Sequence, residues 1–434
     1  MASRRENQGT DTSWTSSLQD AMQQNLRLEE RLEQDELESP QARLKRLLST
    51  RSAVSTSSSF AERQQAAVGC NAPFREIGTG SIGKVFEQGG TLWAFKVLLI
   101  DLTDKLWNNY LMHLRIQDSF DQLGYDTYGL EIPRNLHLFP DDSTFPRRPR
   151  EILCMERIFP LPQPIRHALI DLFCNPNHIN AAKNSSANKD CLIRLMLGRK
   201  RYGSSLPGGS RFFSLRNYKL HVDQIQELEL DADAYASNMA DALAILHWHA
   251  RIDAMDVEFV LGSTPFDLNA VRRPVPLRDV MRLRAGSSTL ERATNRVPNF
   301  KKRIVSLWML DFDACRAISM DTEGVNRAVQ AFVDNEPYSP RPFTNDHYSE
   351  RLWQLFSQRY PLPRQFVNGV MAKLAPPPTP STGARSSHRP RGQRGGRDSG
   401  RGSSSTSSGT RRPTADEEES RRRRGGQHGG RHHR

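Results

Sequence analysis

The chain has 434 residues, enough for one large domain or two ordinary ones, and at 37% hydrophobic residues part of it is predicted not to fold. Its longest apolar runs, such as Phe95 to Ile100, are strand-sized, which excludes a transmembrane helix. The net charge of +12 is uneven: residues 375–434 carry fourteen Arg and no Lys against five acids, whereas residues 1–70 carry nine bases and ten acids.

Residues 1–30 lack the apolar block of a secretory signal, and five scattered cysteines make a poor disulfide framework. The expectation is an intracellular protein, nuclear or cytoplasmic, with no membrane partner. Residues 1–70 read as a mostly disordered leader with one amphipathic helix from Ser17 to Leu37, where Leu18, Met22, Leu26, Leu32 and Leu37 form a loose stripe. Pro40 ends that helix, because the residue before a proline is pushed out of the helical region. A solvated leader and a helix that docks on a protein partner are both open readings of 17–37.

From Phe74 the period changes. Phe74 to Ile100 reads as three antiparallel strands joined by glycine turns. A helix is predicted over 105–120, a strand over 151–158, and a helix over 231–247, with Tyr235, Met239, Ala242, Leu243 and Leu246 on one face. Two short apolar strands follow at 257–261 and 306–312, separated by a polar, Arg-rich inserted loop at about 264–305. From residue 375 the chain is nearly all Pro, Gly, Ser and Arg, a disordered composition. Its Arg-Gly-Gly-type segments within 385–434 suit RNA through phosphate pairing and guanidinium stacking, although a solubilising tail or import signal explains them as well.

Gly78, Gly80, Gly83 and Val85 have the spacing GxGxxGxV, and a glycine hairpin of this kind lets backbone N–H groups close over phosphates. A third strand follows, rather than a helix, and it carries Ala94-Phe95-Lys96. This order resembles the small lobe of protein kinases. The resemblance implies that Lys96 binds nucleotide phosphates and that Met155 and Glu156 form an adenine-facing hinge. It also implies Asp253 as catalytic base, Glu258 at the metal-binding Asn position, and Asp311 as catalytic Asp and Mg²⁺ ligand. Asp311-Phe312-Asp313 is closer to the aminoglycoside-phosphotransferase branch. On this resemblance the fold class is α+β and two-lobed, with a small antiparallel sheet lobe at 71–160 and a mainly helical lobe at 161–374. An exposed strand lysine at 96, a strand-end carboxylate at 311 and loop or capping carboxylates at 253, 256 and 258 are the plain alternatives.

Stretches such as "RFFSLRNYKLHVDQIQELELDADAYASNMADALAILHWHARIDAMDVEFVLGS" and "LWMLDFDACR" resemble a fungal family of unknown function, domain of unknown function 3669, sometimes labelled zinc finger protein. Three departures from kinases matter. The helix at 105–120 has no Glu to order the lysine, Asn109 standing about where it belongs, with Asp104 and Asp118 poorly placed. Arg251 takes the usual His position in a loop about two residues short, and no Ala-Pro-Glu segment follows Asp311. The expected function is therefore a pseudokinase-type module that binds a nucleotide or a partner, with ATP and Mg²⁺ as its cofactors. An active phosphotransferase is the alternative. A zinc-dependent nucleic-acid binder is a remote third, since no Cys-x₂-Cys pair exists and Cys174, His178, His167 and Cys191 form no second tight pair.

Overall fold

The computed structural model of the chain describes residues 37–376, apart from 49–51, 56–58, 69–70, 81–82, 99–102, 125–129, 143–149, 202–212, 267–280, 283–298 and 361–363. The 17–37 helix (but for Leu37), the tail from residue 377 and most of the 264–305 segment lie outside the described residues. Those described belong to one compact unit, Met1–Pro377. They form a mixed α+β fold with two sheets.

The elements run α1 (Pro40–Leu47), β1 (Ser52–Ser55), α2 (Ser59–Ala66), β2 (Phe74–Thr79), β3 (Gly83–Gln88), β4 (Trp93–Leu98), α3 (Thr103–Gln122), β5 (Leu130–Glu131), β6 (Asn135–Asp142), β7 (Arg150–Glu156), α4 (Gln163–Phe173) and α5 (Ile179–Asn184). They continue with β8 (Ile193–Met196), β9 (Tyr218–His221), α6 (Val222–Glu227), α7 (Ala232–Ala244), β10 (Glu258–Phe266), β11 (Asn299–Leu310), α8 (Thr322–Asp334), α9 (His347–Arg359) and α10 (Arg364–Leu374). None of the described helices is long and apolar enough to cross a membrane.

The first sheet is antiparallel, in the order β2-β3-β4-β7-β6, and its first three strands are the meander read from the glycine turns. Gly83 is required here by close approach: a Cβ would stand 2.7 Å from the Val97 carbonyl oxygen on β4. Helix α3 has two buried stripes at i, i+4 spacing. Leu106, Tyr110 and Leu114 pack on Leu98 and Leu153 of the first sheet, while Met112, Ile116 and Phe120 enter the larger core. The helix thus lies between the sheet and the rest of the fold.

The second sheet runs β1-β11-β10-β8-β9, with β5 paired to β11. Sequence reading expected only two short strands after residue 161, in a mainly helical half. The difference lies in β8 and β9, absent from that expectation, and in β11, which starts as early as Asn299 although Lys301-Lys302-Arg303 looks like loop. Lys302 and Ile304 are half-buried whereas Arg303 and Val305 are buried, so the charges conceal a strand alternation. Helices α7, α8, α9 and α10 meet through Tyr235, Met239, Phe332, Trp353, Phe356 and Phe366. Asp231, Asp321 and Asp346 cap three of them, each accepting a backbone N–H at 3.0 Å.

Folded structure also begins earlier than the expected boundary at residue 71. On α1, Leu44, Leu47 and the following Leu48 are buried in the larger core, and the Tyr235 hydroxyl donates to the Leu48 carbonyl. Strand β1 extends the second sheet along β11. Gln64 on α2 accepts from the Gly90 N–H at 2.8 Å. Gly90 has φ +76° and would drive a Cβ to 2.4 Å from the Ala67 backbone, so the turn needs glycine on both counts. Averaged over seventy residues, a Ser/Gln/Glu-rich composition hides three leucines spaced i, i+3, i+4.

Candidate functional site

The first sheet aims Lys96 by register. Gly78 pairs with Val85, Val85 with Lys96, and Lys96 with Leu153, so these side-chain positions share one face. That face meets α3 and the end of β11. There Lys96 Nζ lies 2.9 Å from Asp313 Oδ2 and 3.3 Å from Asp311 Oδ1, joining residues 217 and 215 apart in the chain. The Lys96 side chain is 12% exposed and that of Asp311 is 35% exposed, so the cluster is covered on the sheet side and open on the other. Burial works against the ammonium, but the Asp311 and Asp313 carboxylates outweigh it and hold the Lys96 pKa above its ordinary value. The Asp311 carboxyl is raised, first by burial and then by Asp313, against the pull of Lys96.

No carboxylate of α3 reaches Lys96. The helix acts instead through Asn108, whose Nδ2 donates to the carbonyls of Asp313 (3.2 Å) and Cys315 (3.1 Å). One turn further, His113 packs edge-on against Phe312 at 4.8 Å. Asn109, placed by sequence near the missing Glu, is buried. The helix therefore fixes the Asp-Phe-Asp backbone while leaving Lys96 to the two aspartates.

Two loops zip together behind this cluster. After α7 the chain makes a π turn at Ile245–His249, closed by a bond from the Ala250 N–H to the Ile245 carbonyl. Asp253 N–H then donates to the Arg316 carbonyl and Asp253 Oδ1 accepts from the Arg316 N–H, both at 2.9 Å. The same Oδ1 accepts from the Met255 N–H at 3.1 Å. Asp253 is nevertheless buried, and burial raises its pKa against those bonds. It faces a cavity of about 20 Å³ shared with His247, Phe332, Tyr338, Ser339 and Arg341, room for about one or two waters. Arg251, Ala254, Asp256 and Asp311 all have φ between 56° and 66°. Left-handed backbone at non-glycine residues costs free energy and concentrates where function over-determines geometry.

Glu258 begins β10 and pairs with Arg194 of β8 at 2.6 Å. Burial, with Asp311, Asp256 and Glu336 nearby, pushes its carboxyl up to about 7 in spite of Arg194. Asp256 is raised by burial, then by Asp311 and Asp313. Asp256, Glu258, Asp311 and Asp313 thus form one acidic wall opposite Lys96.

At the junction of the two sheets, Met155 pairs with Ala94 and Glu156 with Trp93. The N–H groups of Glu156, Arg157 and Phe159 donate to Arg134, Leu92 and Ser263, leaving the Ile158 N–H as the backbone donor of 156–159 without an acceptor among the described residues. Of the glycines, Gly83 packs on β4, whereas a Cβ on Gly78 or Gly80 would meet nothing closer than 3.8 Å. At both positions an added Cβ would make only ordinary van der Waals contact, with Val85 and with the Gly83 carbonyl.

The structure therefore gathers Lys96 and Asp311, with Glu258 on the same acidic wall, beneath the row that carries Gly78 and Val85. Asp253 is set behind them, and Met155 and Glu156 lie at the sheet junction with the Glu156 N–H already used. Sequence reasoning missed Asp313 as a lysine partner, Arg194 and Asn108. Asp313 was visible in the Asp-Phe-Asp motif; the other two depend on strand register and helix rotation, for which the sequence carries no signal.

A family model described as zinc finger protein (domain of unknown function 3669) matches residues 307–364, which include β11's end, Asp311, Asp313, α8 and α9. No curated protein matches the chain. The matched span holds one cysteine, Cys315, and one histidine, His347, far fewer than the four ligands of a structural zinc site. Cys174 and Cys191 are buried thiols, and among the described residues no group of three or more His, Cys, Asp or Glu side chains could hold a metal ion.

Proposed function

We propose that residues 71–374 are a kinase-like, two-lobed module that binds a nucleoside triphosphate in the cleft between the sheets without efficient phosphoryl transfer. The observation that carries this reading is the ion pair of Lys96 with Asp311 and Asp313. Lysine on a strand under a glycine hairpin, facing a carboxylate pair across a cleft, is an arrangement for triphosphate and divalent cation. The donor set fits: Mg²⁺ is commonly held by one or two carboxylates, with phosphate and water oxygens completing its shell. Asp311 and Asp313 would hold it, and the cation would neutralise triphosphate charge. Gly78 and Gly80 put no side chain over the Val85–Lys96 row, as a phosphate-covering hairpin requires, and the Ile158 N–H offers a donor to a planar base.

Two features support binding over transfer. Asp253 is buried beside a cavity that admits about a water or two, and its Oδ1 already accepts from the Met255 and Arg316 N–H groups, which disfavours it as a base for an acceptor hydroxyl. Lys96 is ordered by the two aspartates alone, so a cation on Asp311 and Asp313 would compete with the contact that orients the lysine.

Thermal denaturation of the full chain tests this. Mg-ATP at about a hundred times its Kd should stabilise the native state by about 2.7 kcal/mol. The shift should vanish in Lys96→Ala/Asp311→Ala, checked for folding by circular dichroism. Absence of any shift, or one that survives the double substitution, rejects nucleotide use at this site.

A further inference from the structure

We propose that Arg194 is a built-in cation of this site: it occupies Glu258 permanently, so that a bound nucleotide is accompanied by one divalent cation rather than two. The inference rests on the nucleotide-binding reading. Its evidence is the way Arg194 is placed. Strand β8 pairs antiparallel with β10 so that Arg194 stands opposite Val260, two residues along from Glu258 on the same face. The 2.6 Å contact is therefore a diagonal cross-strand pair set by backbone register, and both side chains are largely buried.

Arginine suits such a role because its guanidinium stays charged and its planar fork can hold a carboxylate on one edge while the other N–H groups face an anion. A metal ion at Glu258 would have to displace it or share one carboxylate with it, and like charges at that separation repel. Arg194 thus acts as a positioning residue for Glu258 and the phosphate end of the cleft.

The test counts Mn²⁺ ions bound by the full chain with a non-hydrolysable ATP analogue, from the loss of the free Mn²⁺ electron paramagnetic resonance signal. Wild type should bind one Mn²⁺ per nucleotide. Arg194→Met should bind two, because Glu258 is then open, or should lose nucleotide affinity by tenfold or more. Glu258→Gln should keep one Mn²⁺, which gives a reading even if the Arg194 variant does not fold. Two Mn²⁺ in wild type, an Arg194→Met protein with unchanged count and affinity, or loss of Mn²⁺ from Glu258→Gln would each overturn the role of Arg194 and leave nucleotide binding intact. If no analogue binds, the nucleotide-binding reading and this inference fall together.

Discussion

Glu87→Gln is expected to cost the fold about 3–5 kcal/mol, measured by urea denaturation. Glu87 is buried in β3, where it meets the guanidinium of Arg157, lies 2.5 Å from Arg75 Nε and accepts from Gln64. Arg157 and Arg303 are each 1% exposed and both lie over the Phe159 ring, at 4.3 and 4.6 Å from its centroid. Burial, followed by the neighbouring Arg303 charge, lowers Arg157 to about 9. The buried Arg157 guanidinium therefore depends on the buried Glu87 carboxylate, whereas Arg303 donates to the Ser263 hydroxyl. Removing that carboxylate leaves buried positive charge without a counter-charge, the expensive way to break a buried pair. Replacing both partners, Glu87→Leu with Arg157→Met, should recover most of the loss in a double-mutant cycle. A cost below about 1 kcal/mol for the single change would mean that water reaches these guanidinium groups.

Acid should destabilise the protein through His113 and His247. Both rings are buried and lowered to about 3, burial being the first cause in each. His113 Nε2 donates to the Pro133 carbonyl at 2.5 Å, and His247 Nδ1 lies 2.7 Å from the Tyr360 hydroxyl. In the unfolded chain they titrate near 6.5, so between pH 6.5 and 3 unfolding takes up protons that the native state refuses. Their stabilisation is complete above 6.5 and is lost as the pH falls towards the folded values. At about 1.4 kcal/mol per pH unit for each ring, two units amount to about 5 kcal/mol for the pair. Glu258 acts in the opposite sense: its pKa of about 7 lies above the unfolded value, so it favours the native state as the pH falls through 7. The comparison that isolates the histidines is therefore wild type against His113→Gln/His247→Gln, by urea denaturation at pH 6.5 and 4.5. The variant should start less stable but fall less steeply; parallel curves would mean that neither ring is kept neutral by burial.

Some of this architecture is legible in the amino-acid order. The glycine turns and alternating residues of 74–98 give the meander, and Tyr235, Met239 and Leu243 give the inward face of α7, because both follow local periodicity. The order of the motifs is also what suggests that Lys96 should lie near Asp311. Other features are set by contacts no local pattern encodes. The strand predicted over 306–312 ends at Leu310, since Asp311 turns left-handed at φ 66°, a conformation most residues avoid. Arg194 sits in the apolar run 192–197 as a lone charge, and only the β8–β10 register gives it Glu258. The leader's contribution is hidden for a related reason: α1 and α2 have too few apolar residues to stand out, yet Leu44, Leu47 and Ala61 among them are buried.

Hydrogen–deuterium exchange of the full chain, with and without Mg-ATP, most directly tests the account's main proposition, that a nucleotide lodges where Lys96 meets Asp311. Exchange should slow in three separated stretches at once: the glycine hairpin at 74–88, the Ile158 amide, and the backbone around 311–316. Protection confined to any other surface, or unchanged exchange at all three with the nucleotide present in excess, would contradict it.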